Sequence, residues 1–100
     1  MLNANAGPSG VIGAQAARAF GAAEVILTDP VPERRAAAER FGATSTLDPA
    51  AESVADLGVD AFIDCSGATT ALRSGVTAVR GASAVVLVGM GADEIRCRSR

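Results

Sequence analysis

Short apolar, β-branched runs alternate along this chain with Ala-rich stretches of helical period, and no hairpin signal lies between any two runs. Glu24–Thr28, Val59–Asp64 and Ala84–Val88 read as strands, with a weaker one at Thr44–Leu47. The last main run is apolar throughout, as expected of a strand covered on both faces. Ile12, Ala16, Ala19 and Phe20 recur at helical spacing and form the apolar stripe of a first helix, with Gly21 placed to end it. Pro32 and Glu33 open a second helix that ends near Phe41, before Gly42. Leu72, Val76 and Val79 give the stripe of a third, closed by Gly81, with Gly75 inside it at a cost of about 1 kcal/mol relative to Ala. Strand and helix in turn, without hairpins, predict an α/β fold: a parallel sheet wrapped by helices.

At 100 residues the chain is the size of one small domain. Neither an internal repeat nor a linker divides it. Met1–Asn5 leaves room only for a stub of a first strand, and Ile95–Arg100 loses all periodicity. The expectation is one incomplete domain over residues 1–94 followed by an irregular tail over 95–100.

Several function classes fall away on composition. His is absent, which removes the commonest general base, the commonest metal ligand and every Ser-His-Asp or Cys-His arrangement. A net charge of −2 leaves no basic stripe for nucleic acid. No apolar run reaches the roughly 18 residues a membrane span needs, and the N-terminus lacks the charged and apolar regions of a secretory signal. Cys65 and Cys97 make neither a C-x-x-C pair nor a disulfide framework, so a cytoplasmic location is the default expectation.

The chemistry lies in a turn and a carboxylate. Asn5-Ala6-Gly7-Pro8-Ser9-Gly10 stands between the first strand and the first helix. Against G-x-G-x-x-G it keeps the second and third glycines, with Asn5 at the first position, a residue that enters left-handed backbone more readily than most. Such a turn lets backbone approach a pyrophosphate and lets helix pack close to strand, with the helix dipole facing the phosphates. Asp29 ends the next strand about 20 residues on, where a carboxylate accepts hydrogen bonds from an adenosine ribose. Its charge repels a 2′-phosphate and favours NAD over NADP, although a guanidinium at Arg34 or Arg35 could accommodate that phosphate. Small residues at Cys65-Ser66-Gly67 and Gly89-Met90-Gly91 follow two further strands, where ligands of open parallel sheets bind.

Taken in order, these blocks resemble a known family. Ala6–Gly10, Ala17–Ala22, Val25–Asp29, Pro32–Arg34, Phe41–Thr44, Ile63–Gly67 and Val86–Gly91 are similar to the coenzyme domain of zinc-dependent medium-chain dehydrogenases, the polyol (sorbitol-type) and alcohol dehydrogenase branch above all. The resemblance implies a Rossmann-type open parallel sheet with helices on both faces, truncated at the first strand and after the fifth. It implies NAD binding, with Gly7, Pro8, Ser9 and Gly10 lining the pyrophosphate and Asp29 holding the adenosine ribose. Arg34 would lie near the adenine, Ser66 and Gly67 would border it, and Val88, Gly89 and Met90 would meet the nicotinamide end.

The activity so implied is hydride transfer from an alcohol or polyol to NAD, assisted by a zinc ion whose ligands lie outside this segment. No catalytic residue and no metal ligand is expected here, so the chain alone would be catalytically silent. A sheet that continues past Ala84–Val88 in the family leaves an apolar edge here, which invites self-association. A stand-alone nucleotide-binding module and a methyltransferase with a similar glycine loop are the competing readings.

Overall fold

A computed structural model of the chain describes residues 1–4, 7–55, 57–66 and 68–87. Eight elements follow in order: β1 (Leu2–Ala4), α1 (Pro8–Ala19), β2 (Ile26–Thr28), α2 (Pro32–Arg40), β3 (Ser45–Leu47), β4 (Val59–Asp64), α3 (Thr69–Ala78) and β5 (Val79–Leu87). Every pairing is parallel, and the strands lie in the order β3-β2-β1-β4-β5. The fold is the Rossmann-type α/β sheet that the sequence predicts. The chain winds outward from β1 to β3 and then returns to β4 on the other side of β1. That reversal opens a crevice at the C-terminal ends of β1, β2 and β4.

The two faces of the sheet feed two separate cores, with alternate residues of Val25–Leu27 pointing to opposite sides. Leu2, Ala4, Ile26 and Phe62 pack with Leu72 and Ala78 of α3 on one face. Val25 and Leu27 pack with Ala14 of α1 and Ala38 of α2 on the other. Helices thus cover both faces, and the stub of a first strand is the central strand of the sheet.

The structure corrects the expected stripe of α1. Ile12 is 68% exposed and Phe20 93% exposed, and Ala16 and Ala19 also face outward. The buried line is Gly10 and Ala14, flanked by Val11 and Ala17. In an Ala-rich helix apolar periodicity occurs on more than one face, and the smallest side chains lie against the sheet because they allow the closest approach. Gly21 does end α1. At φ +100° it follows the cap residue Phe20, with Gly21 N–H donating to Arg18 O and Ala22 N–H to Ala17 O, a Schellman closure.

Two strand limits and one helix limit also differ from expectation. β2 begins at Ile26 rather than Glu24, and Val25 before it is tied to Thr44, whose hydroxyl accepts from Val25 N–H and whose N–H and hydroxyl both donate to Val25 O. Val79, expected on the third helix, starts β5 instead, and Gly81 lies within that strand rather than closing α3. The regular β4–β5 pairing runs from Ala61↔Ala84 to Asp64↔Leu87, so the apolar run was located correctly. Its last residue, Val88, lies outside the described residues, as does Asn5.

Gly75 has a structural reason. A Cβ built there would overlap the ring of Phe62, which is fully buried beneath α3. Gly75→Ala gains about 1 kcal/mol of helix propensity but overpacks at a cost of about 1–3 kcal/mol. Circular-dichroism melting should show a net loss of stability. Adding Phe62→Leu should recover part of it, whereas the propensity term alone predicts a higher melting temperature for Gly75→Ala.

Candidate cofactor site

A cavity of about 500 Å³ lies in the crevice at the strand ends. Leu2, Ala4 and Phe62 form its floor, Asp29 and Pro30 one side, and Pro49, Ala50 and Val54 the other. Ser66 and the N-terminal turn of α3 complete it. Its volume falls within the roughly 300–1,000 Å³ of small-molecule sites, and its walls are largely apolar with a few polar groups.

Asp29 is the first residue beyond β2 and is only 2% exposed. Its Oδ1 accepts from Val31 N–H at 2.8 Å, a turn dictated by Asp before Pro30. Its Oδ2 stands 3.8 Å from Arg34 Nη1, whose side chain is 53% exposed. A half-exposed pair like this contributes at most about 1 kcal/mol to stability. Its larger effect is to orient the carboxylate. The Asp29 main chain donates to Leu47 O and accepts from Arg35 Nη1 at 2.7 Å.

The glycine turn is adjacent but separate. Gly7 caps α1 with extended backbone (φ −72°, ψ −173°), Pro8 is the first helical residue, and Val11 N–H donates to Gly7 O. Gly7 and Gly10 are buried and Ser9 is exposed. The cap is made by no side chain, and the first turn holds no acidic residue, so that turn adds no negative charge of its own at the positive end of the helix dipole. Gly7 needs no left-handed backbone.

The structure therefore brings Asp29 and Ser66 together on one cavity and places Arg34 against Asp29. Gly7 caps α1, and Pro8, Ser9 and Gly10 form its first turn. Gly67, Val88, Gly89 and Met90 lie outside the described residues.

One carboxylate escaped the sequence reading. Asp64 ends β4 opposite Ala4 and is 2% exposed. Its Oδ1 accepts from Ser66 N–H at 2.9 Å and from Ser66 Oγ at 2.6 Å, and Ser66 Oγ in turn accepts from Ala68 N–H at 3.1 Å. This chain of short bonds fixes the turn that leads into α3. The Asp-x-Ser spacing was the available signal, because both residue types favour such local turns.

Cys65 lies between these two residues, with its N–H donated to Ala4 O. Burial first, and the Asp64 charge second, push its thiol above the ordinary range. Among the described residues, no group of three or more His, Cys, Asp or Glu could hold a metal ion. No described helix is long and apolar enough to cross a membrane.

Residues 8–100 match the sequence pattern of the zinc-binding dehydrogenases. The chain belongs to that family. The zinc-binding dehydrogenase chain is 32% identical over 103 residues to D-xylulose reductase of Saccharomyces cerevisiae, a match covering 91% of this chain and 29% of the relative. It is 39% identical over 98 residues to L-threonine 3-dehydrogenase of Pyrococcus horikoshii, covering 90% and 28%. Among solved structures, a zinc-binding dehydrogenase of Sinorhizobium meliloti bound to NADP superposes with a TM-score of 0.89 at 28% identity, covering 99% of this chain and 32% of that one. The chain thus spans under a third of the relatives it matches.

Because a raised thiol pKa keeps the neutral form, Cys65 is a poor nucleophile near neutral pH. In a Cys97→Ser background, alkylation by iodoacetamide should rise only at pH above that of a free thiol. Unfolding in denaturant should move the curve to lower pH, and a folded protein that alkylates like a free thiol would contradict the burial.

Proposed function

We propose that this chain binds a nicotinamide dinucleotide by its adenosine half, NAD in preference to NADP, as the coenzyme part of a zinc-dependent alcohol or polyol dehydrogenase. The observation that carries the reading is Asp29: a buried, oriented carboxylate on the wall of a largely apolar cavity at the sheet's switch point. A flat purine fits the apolar walls, and ribose hydroxyls fit a carboxylate acceptor. The cap of α1, with no side-chain bond and no acid in its first turn, suits a pyrophosphate.

In this reading Gly7, Pro8, Ser9 and Gly10 line the pyrophosphate and Asp29 accepts from the adenosine ribose. Arg34 lies beside the adenine, and Ser66 and Gly67 border it. Val88, Gly89 and Met90 serve the nicotinamide end, as the family resemblance implies. Bound NAD supplies the hydride acceptor for oxidation of an alcohol carbon. Asp29 acts by repelling a 2′-phosphate, while Arg34 is held close to that carboxylate. Asp64 and Ser66 hold the turn that borders the base.

Fluorescence titration with NADH and NADPH tests the reading. Hydrogen bonds to a charged group contribute about 1.5–3 kcal/mol, so Asp29→Ala should weaken NADH roughly 10–100-fold. It should shift the preference towards NADPH, and Gly10→Val should weaken both. Undiminished NADH binding in Asp29→Ala would end the assignment.

We also propose that the chain self-associates through β5. This strand is the edge of the sheet among the described residues, and Val85 and Val86 on it are 42% and 47% exposed. An apolar edge of this kind templates pairing. Sedimentation should show a mass that rises with concentration, and a charged substitution, Val86→Lys, should lower it. A monomer at all concentrations would refute this.

A further inference from the structure

We propose that Arg35 is a positioning residue for the adenosine site, a single guanidinium that holds the Asp29 loop and the Pro49–Val54 wall of the cavity in register. The inference rests on the dinucleotide reading above and concerns what keeps that site in shape.

Helix α2 runs Pro-Glu-Arg-Arg-Ala-Ala-Ala-Glu-Arg, and its one buried residue is Ala38, in its C-terminal half. Apolar burial therefore seats the end of the helix away from the cofactor cavity and leaves its N-terminal turn to other forces. Arg35 supplies them. Its side chain is 21% exposed, and Nη1 donates to Asp29 O at 2.7 Å while standing 3.9 Å from Asp48 Oδ2. Asp29 and Asp48 are the first residues beyond β2 and β3, so one cation bridges the ends of two neighbouring strands.

Both partners lead directly into the cavity walls. Asp29 supplies the buried carboxylate by its side chain and is fixed to Arg35 by its main chain. Asp48 opens the other wall: its Oδ1 accepts from Ala50 N–H at 3.0 Å, and its N–H donates to Glu52 Oε2 at 3.4 Å. Pro49, Ala50 and Val54 of that segment line the cavity, and Arg35 itself does not. The two adjacent arginines thus have different tasks. Arg34 faces the Asp29 carboxylate, whereas the charge of Arg35 is engaged with Asp48 and cannot serve a 2′-phosphate without giving up that contact. A charge-assisted bond to a main-chain carbonyl is directional, so an apolar residue at 35 could fill the space but could not hold Asp29 in place.

Arg35→Leu, Arg35→Lys and Asp48→Asn test this, with NADH, NADPH, adenosine 5′-monophosphate and nicotinamide mononucleotide as titrants and a melting curve for each variant. Arg35→Leu should weaken NADH and adenosine monophosphate by about the same factor, roughly tenfold, leave nicotinamide mononucleotide unchanged and narrow the NADH preference over NADPH. Arg35→Lys, which can still donate to Asp29 O, should recover most of that loss. Asp48→Asn keeps an acceptor for Ala50 N–H, removes the anion and should weaken NADH about threefold; it serves as the measure should Arg35→Leu not fold.

A variant that melts lower yet keeps wild-type NADH affinity and an unchanged NADH to NADPH ratio would overturn the positioning role, with the dinucleotide reading intact. If the unaltered protein binds no NADH, both fall together.

Discussion

Because β1 is hydrogen-bonded to β2 on one side and to β4 on the other, its three residues join the two halves of the sheet. Leu2 and Ala4 are buried against α3, and the reversal of winding that creates the cavity occurs at their C-terminal end. The residues on its flanks must be small, since helices close on both faces. Ala4 meets this demand at the floor of the cavity, and Gly10 and Ala14 meet it on α1. Loss of this strand would separate β2 and β3 from β4 and β5, leaving neither half with a switch point.

Two buried carboxylates stand on either side of Ala4, and their environments set different roles. Asp29 engages the local main chain and a guanidinium, and it lines the cavity. Asp64 is held by Ser66 and acts on the backbone that frames the cavity rather than on its contents. Burial first, and the neighbouring Asp64 second, raise the pKa of the Cys65 thiol beside it. Charge at this edge of the sheet is therefore arranged before any ligand arrives. Neutral hydrogen-bond donors suit it, and further anions do not, except at the positive end of α1.

Much of this was legible in the residues. Parallel topology followed from alternation, and the approximate limits of β4 and α2 followed from periodicity and proline. Asp29 was expected at the end of the second strand and is the first residue beyond β2. The failures have physical causes. Ala-rich helices offer apolar periodicity on several faces, so Ile12 and Phe20 marked the wrong side of α1. The helix-to-strand boundary at Val79 is invisible because Val serves either state and no turn residue separates them. The parts played by Arg35, Asp48 and Asp64 depend on bonds between segments or on local turns, and composition does not report these.

The absence of a loop between Ala78 and Val79 gives α3 and β5 an unusual mechanical relation. In most crossovers a few irregular residues absorb small movements between helix and strand. Here the helix that forms one wall of the cavity passes directly into β5. The irregular residues lie inside the strand instead: the pairing is uneven between Val59 and Ala61, with more residues on β5 than on β4. The crossover is therefore closed by a bulged strand rather than by a turn.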